Sequence, residues 1–306
     1  MTLAALLFAL LGETVHPAPA PLALLQSLPI ESSDSGLHLS ALSLCDGTLL
    51  TLSDRHDRQV YRLEIDPTAA LARTQVWRTL SPPAPADWGW RQRVSSWFAG
   101  RLYDWEGIAC RGDRLYLLSE QLNDLLISSN RGESWLQLPR QQFVNQGGVL
   151  RSTNAGLEGL TFNGQGLVLA AEREARGLLQ FVPEKGGWQL QWLHSPLPPE
   201  PPLAGRSPDF SGLWFESPWL YTLERNLFRI CRRDTRFQQQ RCWSYADTEL
   251  APERRYRTEF GVAEGIAADA QRIYLITDNN GDARVADADD RRPQLWIFAK
   301  PADWRE

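Results

Sequence analysis

The hexapeptide Asp-Trp-Glu-Gly-Ile-Ala at residues 104–109 recurs in similar form along the 306-residue chain. The other copies are Gly-Leu-Glu-Gly-Leu-Thr at 156–161, Asp-Phe-Ser-Gly-Leu-Trp at 209–214, Val-Ala-Glu-Gly-Ile-Ala at 262–267 and a weaker His-Leu-Ser-Ala-Leu-Ser at 38–43. Their third residues, which we call the landmark residues, are Ser40, Glu106, Glu158, Ser211 and Glu264. Successive landmarks lie 66, 52, 53 and 53 residues apart, and the first interval contains a Pro- and Trp-rich insertion at 81–103. A period of about 50 residues indicates a repeat architecture.

Each landmark begins the same succession of short apolar segments and turns. A second apolar segment follows at 48–52, 115–118, 167–170, 219–223 and 273–277, and third and fourth segments are visible in most units. Four short strands per unit of about 50 residues are typical of a β-propeller blade. The sequence therefore predicts an all-β propeller of five four-stranded blades. A sixth, degenerate blade within 81–103 is the alternative.

The last repeat is incomplete at its carboxyl end. Only seven residues, Lys300–Glu306, follow the third segment at Leu295–Ala299. The apolar segment Leu22–Ile30 precedes the first landmark and can supply the missing strand. Pairing these two segments would close the ring and remove the exposed sheet edges.

Composition and charge are those of a globular domain, which we place at 21–306. Hydrophobic residues make up 43% of the chain and charged residues 23%. The net charge is −5, and only two of the 32 basic residues are lysines. Without a dominant basic patch, nucleic acid is excluded as the expected partner. We expect a monomer.

The amino terminus contains one candidate targeting segment. Leu3–Gly12 is apolar and is followed by Pro-Ala-Pro-Ala at 17–20. Ten residues are too few to span a bilayer, which needs about 20, but they fit the apolar region of a signal peptide. The sequence predicts a cleaved segment at 1–20 and a periplasmic or secreted protein. A buried apolar N-terminus is the alternative.

The four cysteines do not form a metal-binding motif. Cys231 and Cys242 flank a predicted hairpin and are expected to form a disulfide. Cys45 and Cys110 each follow a landmark residue by four or five positions. The alternative is four buried free thiols.

Two further polar columns follow the landmark residues. Thirteen or fourteen positions later each unit has an acid, and the next position is often basic or an amide. The acids are Asp54, Glu120, Glu172, Glu224 and Asp278, and their successors are Arg55, Gln121, Arg173, Arg225 and Asn279. The first two strands of a blade form an antiparallel hairpin, so its two ends meet. We therefore predict that these residues surround one mouth of the central channel and bind a small-molecule or anionic ligand there.

Glu106, Glu158 and Glu264 are the candidate metal ligands. Carboxylates that converge on an axis raise one another's pKa, and a hard cation such as Ca²⁺ relieves the conflict. The four histidines are scattered, which disfavours zinc. We expect Arg55, Arg173 and Arg225 to reach the second acidic column more readily than the landmark glutamates. The alternative is a ring of salt bridges that holds no metal.

The recurring motifs resemble the phytase-like family, also described as "esterase-like activity of phytase", and equally the bacterial SdiA-regulated family. The resemblance runs from about Leu37 to Pro301 and includes Ser-Asp-Arg at 53–55 and Thr-Asp-Asn-Asn at 277–280. It implies a secreted or periplasmic propeller that binds Ca²⁺. Ala41 and the serine landmarks depart from the motif and leave catalysis open. The alternative function is a metal-assisted phosphoesterase or esterase in which the three arginines grip the oxyanion.

Overall fold

The computed structural model describes residues 17–33, 36–85, 103–139, 156–173, 176–185, 187–194 and 205–306. Most of the predicted signal segment, and most of the insertions at 81–103, 141–155 and 195–208, lie outside the described residues. Helical structure within the described ranges is limited to α1 (Ala246–Glu249) and two 3-10 turns, Arg225–Leu227 and Ala302–Trp304. None of these helices is long and apolar enough to cross a membrane.

The described strands form five four-stranded antiparallel units, in which the first strand is innermost. Unit 1 comprises β3 (Leu39–Cys45), β4 (Thr48–Ser53), β5 (Gln59–Asp66) and β6 (Leu71–Thr79). Unit 2 comprises β7 (Trp105–Arg111), β8 (Arg114–Ser119), β9 (Asp124–Ser129) and β10 (Gly132–Leu136). Unit 3 comprises β11 (Leu157–Phe162), β12 (Leu167–Ala171), β13 (Gly177–Glu184) and β14 (Gly187–His194). Unit 4 comprises β15 (Gly212–Glu216), β16 (Trp219–Glu224), β17 (Arg229–Arg233) and β18 (Gln239–Ser244). Unit 5 comprises β19 (Ala263–Ala268), β20 (Arg272–Thr277), β21 (Gln294–Ala299) and β2 (Leu24–Glu31), and β1 (Ala20–Pro21) lies beside unit 4.

The inner strands of the five units contact one another in a closed cycle. β3 contacts β7, β7 contacts β11, β11 contacts β15, β15 contacts β19, and β19 contacts β3. The buried apolar side chains form five clusters, one at each interface between neighbouring units. The core is therefore distributed around an axis, and the prediction of an all-β propeller is confirmed.

The predicted pairing of the amino-terminal strand with the last unit is present. β2 runs antiparallel to β21, with Leu24 opposite Phe298 and Leu28 opposite Leu295. The end of β2 also pairs in parallel with β6 of unit 1, and β1 pairs in parallel with β18 of unit 4. The segment 20–31 is thus hydrogen-bonded to three consecutive units.

Glycine in the landmark motif allows neighbouring inner strands to approach closely. A Cβ added at Gly107 would lie 2.8 Å from the Leu160 Cβ, and one added at Gly159 would lie 2.7 Å from the Leu213 Cγ. The tightest case is Gly265, whose added Cβ would lie 2.5 Å from the Leu42 backbone nitrogen. Each of these contacts is made to the inner strand of the next unit, so the motif glycine fixes the spacing between units.

We expect Gly265→Ala to destabilise the protein by about 1–3 kcal/mol, because the backbone of β3 must move to admit the methyl group. Gly164→Ala is the matched control, since an added Cβ there meets nothing within 4 Å. Denaturant unfolding followed by tryptophan fluorescence measures both changes. Equal stability of the two variants would contradict the assignment of the motif glycine to strand spacing.

Both pairs of cysteines are joined by disulfides. Cys231 and Cys242 are directly opposed on β17 and β18 with Cα atoms 4.1 Å apart, which confirms the sequence prediction. Cys45 and Cys110 pair across the interface of units 1 and 2, a connection that the sequence did not predict. No free cysteine remains. The Cys45–Cys110 bond joins two cysteines that are 65 residues apart in sequence.

Removing the Cys45–Cys110 disulfide should cost more stability than removing Cys231–Cys242. A cross-link constrains the unfolded chain more when it closes a longer loop, which gives about 4 kcal/mol for the 65-residue separation and about 3 kcal/mol for the 11-residue one. Unfolding of the two double Cys→Ala variants measures the difference. A larger loss for the Cys231–Cys242 variant would contradict this ranking.

Candidate functional site

The ends of the first two strands of the units meet at one mouth of the central channel. There they surround a cavity of about 250 Å³, which we call the channel-mouth cavity. It is lined by Ser40, Asp54, Glu106, Glu120, Glu158, Arg173, Arg225, Asn226, Phe260, Gly261, Glu264, Asp278 and Asn280. Six of these side chains are carboxylates and two are guanidinium groups, so the lining is strongly acidic.

The landmark residues of four units lie at β-bulges. The strand register shifts at Glu106 on β7, at Glu158 on β11 and at Glu264 on β19, and Ser40 occupies the same position on β3. A bulge leaves one residue out of the ladder and redirects its side chain. The three glutamates therefore turn towards the cavity, although the strands that carry them are almost wholly buried.

The two serine landmarks hold inner strands together. The Ser40 hydroxyl donates a hydrogen bond to the Trp105 carbonyl of unit 2. The Ser211 hydroxyl donates to the Ala263 carbonyl of unit 5 at 2.8 Å. Both interactions are consistent with a structural role for these serines.

The first and second acidic columns meet as the hairpin geometry predicts. Oxygens of Asp104, Glu106 and Glu120 lie within 4.8 Å of one another, and so do oxygens of Glu120, Glu158 and Glu172. Within unit 5, Asp278 is close enough to raise the pKa of Glu264. The three landmark glutamates line one cavity. Both groups of closely spaced carboxylates, however, contain Glu120 of the second acidic column together with one landmark glutamate.

Room for two of these side chains is made by glycines. A Cβ on Gly156 would lie 2.1 Å from the Glu120 Cγ, and one on Gly261 would lie 2.4 Å from the Arg225 carbonyl oxygen. The Gly156 backbone N–H donates to the Glu120 carboxylate at 3.2 Å. Glycine at these two positions therefore lets Glu120 and Arg225 approach the axis.

Arg225 lies among four carboxylates. Its Nε donates to Asp209 Oδ2 at 2.6 Å, Nη2 donates to Glu172 Oε1 at 2.6 Å, and Nη1 donates to Glu264. Nη2 is also 3.5 Å from Glu158 Oε2. The expectation that the arginines would serve mainly the second acidic column is wrong for Arg225, because its side chain reaches past Glu172 to two landmark glutamates.

The remaining carboxylates on the unit 2 side have little positive charge nearby. Glu106 forms no hydrogen bond or ion pair with any described residue. Glu158 is only 7% exposed, and its Oε2 accepts no hydrogen bond from the part of the chain that the structure describes. The carboxylates at the channel mouth thus fall into two groups. One group pairs with Arg225, and the other, around Glu106 and Glu120, does not.

Burial and mutual repulsion raise the pKa values of the cavity carboxyls. Burial is the main cause for Glu106, whose pKa is well above its ordinary value, and repulsion from Glu264 adds to it. Burial also raises the pKa of Glu158 well above its ordinary value, although Arg225 opposes the change. For Glu264, burial outweighs the effect of Arg225 and raises the pKa to about 8.

Three predicted site residues, Glu224, Arg55 and Glu172, are not part of the cavity lining. Glu224 is fully buried, bonds to Arg229 and Arg233 at 2.6–2.9 Å, and lies 3.4 Å from Arg176. Burial alone would raise its pKa, but these arginines lower it to about 2. Arg55 is exposed and does not line the cavity. Arg173 lines the cavity, but its Nε donates to Glu172 at 2.5 Å.

Sequence reasoning missed four residues that lie at or beside the site. Asp104 and Asp209 stand two positions before their landmark residues, inside the repeated hexapeptide, so the repeat itself could have identified them. Phe260 is 60% exposed at the cavity and belongs to a variable loop without a repeat signal. His38 lies beside the site, with Nδ1 3.2 Å from Asp278 Oδ1.

The sequence matches the model of the phytase-like family, "Esterase-like activity of phytase", over residues 35–281. This match covers most of the chain, and the protein belongs to the phytase-like family. Among curated protein sequences, none matches this chain. The similarity that the repeated motifs indicated is therefore confirmed at the level of the family.

Solved structures with a similar fold share little sequence with this chain. Glutaminyl cyclase of Myxococcus xanthus is 14% identical, with a TM-score of 0.54 over 93% of this chain and 100% of that chain. The aldose sugar dehydrogenase of Streptomyces coelicolor is 12% identical, with a TM-score of 0.46 over 93% and 100%. At these identities the glutaminyl cyclase similarity shows the fold alone.

A buried glutamate behind the cavity gives the structure a testable pH dependence. Glu249 on α1 is 4% exposed; its Oε1 accepts a hydrogen bond from the Val262 N–H at 3.1 Å, and its Oε2 has no hydrogen-bond partner among the described residues. Burial raises its pKa to about 8. The folded state therefore holds this proton more tightly than the unfolded state, and the resulting stability is lost as the pH rises from about 5 through 8.

Glu249→Gln should leave stability nearly unchanged at pH 5 and increase it at pH 9, by on the order of 3 kcal/mol, because glutamine cannot ionise. Thermal unfolding at both pH values measures the effect. Glu184→Gln, a change on an exposed strand end, is the control. A variant that is no more stable than the wild type at pH 9 would show that Glu249 ionises freely in the folded protein.

Proposed function

We propose that this phytase-like propeller binds Ca²⁺ in the channel-mouth cavity and presents that face to a ligand. The observation that carries the proposal is the group of carboxylates around Glu106, Glu120 and Glu158 that Arg225 does not fully neutralise. A buried carboxylate oxygen without a hydrogen-bond partner, such as Glu158 Oε2, is costly unless a cation or a proton accompanies it.

The ion is assigned to the unit 2 side of the cavity. Asp104, Glu106 and Glu120 would supply its carboxylate ligands, with Glu158 beside them. Glu264 belonged to the set expected from sequence, but its carboxylate accepts a hydrogen bond from Arg225. Of the metal ligands expected from the sequence, the proposed set therefore retains Glu106 and Glu158 and omits Glu264, which pairs with Arg225. It adds Asp104 and Glu120.

The chemistry of the ligand atoms favours calcium. All four side chains offer oxygen, and Ca²⁺ accepts six to eight oxygen ligands at flexible geometry, including carbonyls and waters. Zinc in proteins prefers nitrogen and sulfur ligands. When bound, the ion would offset part of the negative charge of these carboxylates.

We also propose that the ring has five blades and that the protein works outside the cytoplasm. Five inner strands in a closed cycle of contacts support the blade number. Two disulfides support a periplasmic or secreted location, because such bonds persist in oxidising compartments.

The alternative of an arginine-assisted phosphoesterase receives less support. Arg225 is bound to buried carboxylates, Arg173 is paired with Glu172, and Arg55 lies away from the cavity. A phosphate entering the cavity would meet six carboxylates and two arginines that are each already paired with a carboxylate. Such a lining repels an anion, so we do not assign this activity.

Chelation should lower the melting temperature of the purified protein, and added Ca²⁺ should restore it. A ligand that binds only the folded state stabilises it by about 2.7 kcal/mol at a hundredfold excess over its dissociation constant. Glu106→Gln should remove most of the difference between chelated and calcium-loaded protein. The control is Glu64→Gln, an exposed residue on β5 that pairs with Arg62.

Two results would contradict the calcium proposal. One is an unchanged melting curve in chelator together with no bound metal in elemental analysis. The other is an equal loss of calcium response in Glu106→Gln and Glu64→Gln, because the effect would then not arise in the cavity.

A further inference from the structure

The charge of the channel-mouth cavity restricts what can enter it. Its six lining carboxylates face two arginines, and both arginines are engaged by buried or lining acids. The raised pKa values of Glu106, Glu158 and Glu264 and a Ca²⁺ on the unit 2 side would each offset part of this negative charge. A ligand with a positive group is attracted to such a lining, and an anionic ligand is repelled.

A second pair of carboxylates does not belong to the proposed calcium set. Asp54 and Asp278 follow the second strands of units 1 and 5, and both line the cavity. Oxygens of these two side chains and a ring nitrogen of His38 lie within 4.8 Å of one another. Asp278 Oδ1 also accepts a hydrogen bond from the Asn280 N–H at 2.7 Å, which holds its carboxylate in place. The two acids thus form a pair of carboxylates, beside the His38 ring, where units 1 and 5 meet.

An exposed aromatic ring lies at the same cavity. Phe260 is 60% exposed although it lines the cavity beside Gly261, whose backbone packs against Arg225. A phenyl ring next to carboxylates can pack against the apolar part of a ligand. The face of the ring can also attract an ammonium group by a cation–π interaction. Neither contact would help an inorganic ion, so Phe260 points to an organic ligand.

We propose that the ligand of the channel-mouth cavity is a small organic cation, in which an ammonium group faces Asp54 and Asp278 and an apolar group packs against Phe260. This inference rests on the proposed function, since it names the ligand class for the face that Ca²⁺ would organise. The volume of about 250 Å³ fits a molecule with a single ring or a short chain.

The test compares four probes that share one ring and differ in charge. Benzylammonium, benzyl alcohol, benzoate and phenyl phosphate are titrated into the full-length, calcium-loaded protein at pH 7 by calorimetry. Benzylammonium should bind at least tenfold more tightly than the other three, and its affinity should fall as the ionic strength rises. Equal or tighter binding of benzoate or phenyl phosphate would overturn the proposal.

Variants separate the two parts of the ligand site. Phe260→Ala should weaken benzylammonium about fivefold, and Asp278→Asn should weaken it further, while calcium binding stays intact in Phe260→Ala. Trp77→Ala is the matched control, because Trp77 is an aromatic residue on β6 with 40% exposure and no part in the cavity. Melting curves establish that Asp278→Asn folds. An unchanged benzylammonium affinity in Phe260→Ala would overturn the assignment of Phe260.

The outcome for the ligand can be distinguished from the outcome for calcium. If no probe binds while chelation still lowers the melting temperature, the organic cation is excluded and the calcium proposal stands. If benzylammonium binds in a manner that depends on Phe260 and no metal is found, calcium is excluded and the organic cation stands.

Discussion

The close approach of the inner strands is the constraint on which the rest of the structure depends. At four of the five interfaces a glycine in the landmark motif receives a Leu or Ile of the next unit, and an added Cβ would lie 2.5–3.2 Å from it. This spacing brings the inner strands of five units around a narrow axis. The landmark residue directly precedes that glycine, and in units 2, 3 and 5 it lies at a bulge, so the same local geometry packs the ring and directs carboxylates into its mouth.

The negative charge of carboxylates gathered in this way must be balanced, and the protein balances it unevenly. Arg225 bonds to Asp209, Glu172 and Glu264, while Glu224, the residue before it, is held by other arginines. Glu106 and Glu120 pair with no guanidinium among the described residues, and burial raises their pKa values. Stability and ligand binding are therefore linked in this region, since whatever cation enters also relieves the repulsion.

Repetition in the sequence predicted the fold because each unit obeys the same local rules. The strands, the pairing of β2 with β21 and the meeting of Glu106 with Glu120 all follow from periodicity and hairpin geometry. The reach of Arg225 did not follow, because it depends on the space beside Gly261 in another unit. Glu224 occupies the same repeat position as Glu120, but arginines from outside that position surround it. Periodicity thus places a side chain, while its partners depend on residues that do not repeat.

The interface between units 1 and 2 differs from the other four in a way that affects the integrity of the chain. There Ala41 replaces the motif glycine, and the Cys45–Cys110 bond joins the two inner strands. Together with the polypeptide between them, these cysteines form a covalent loop that contains the outer strands of unit 1. A single cut by a protease anywhere inside that loop leaves both fragments tethered, so the ring retains all its units after nicking there.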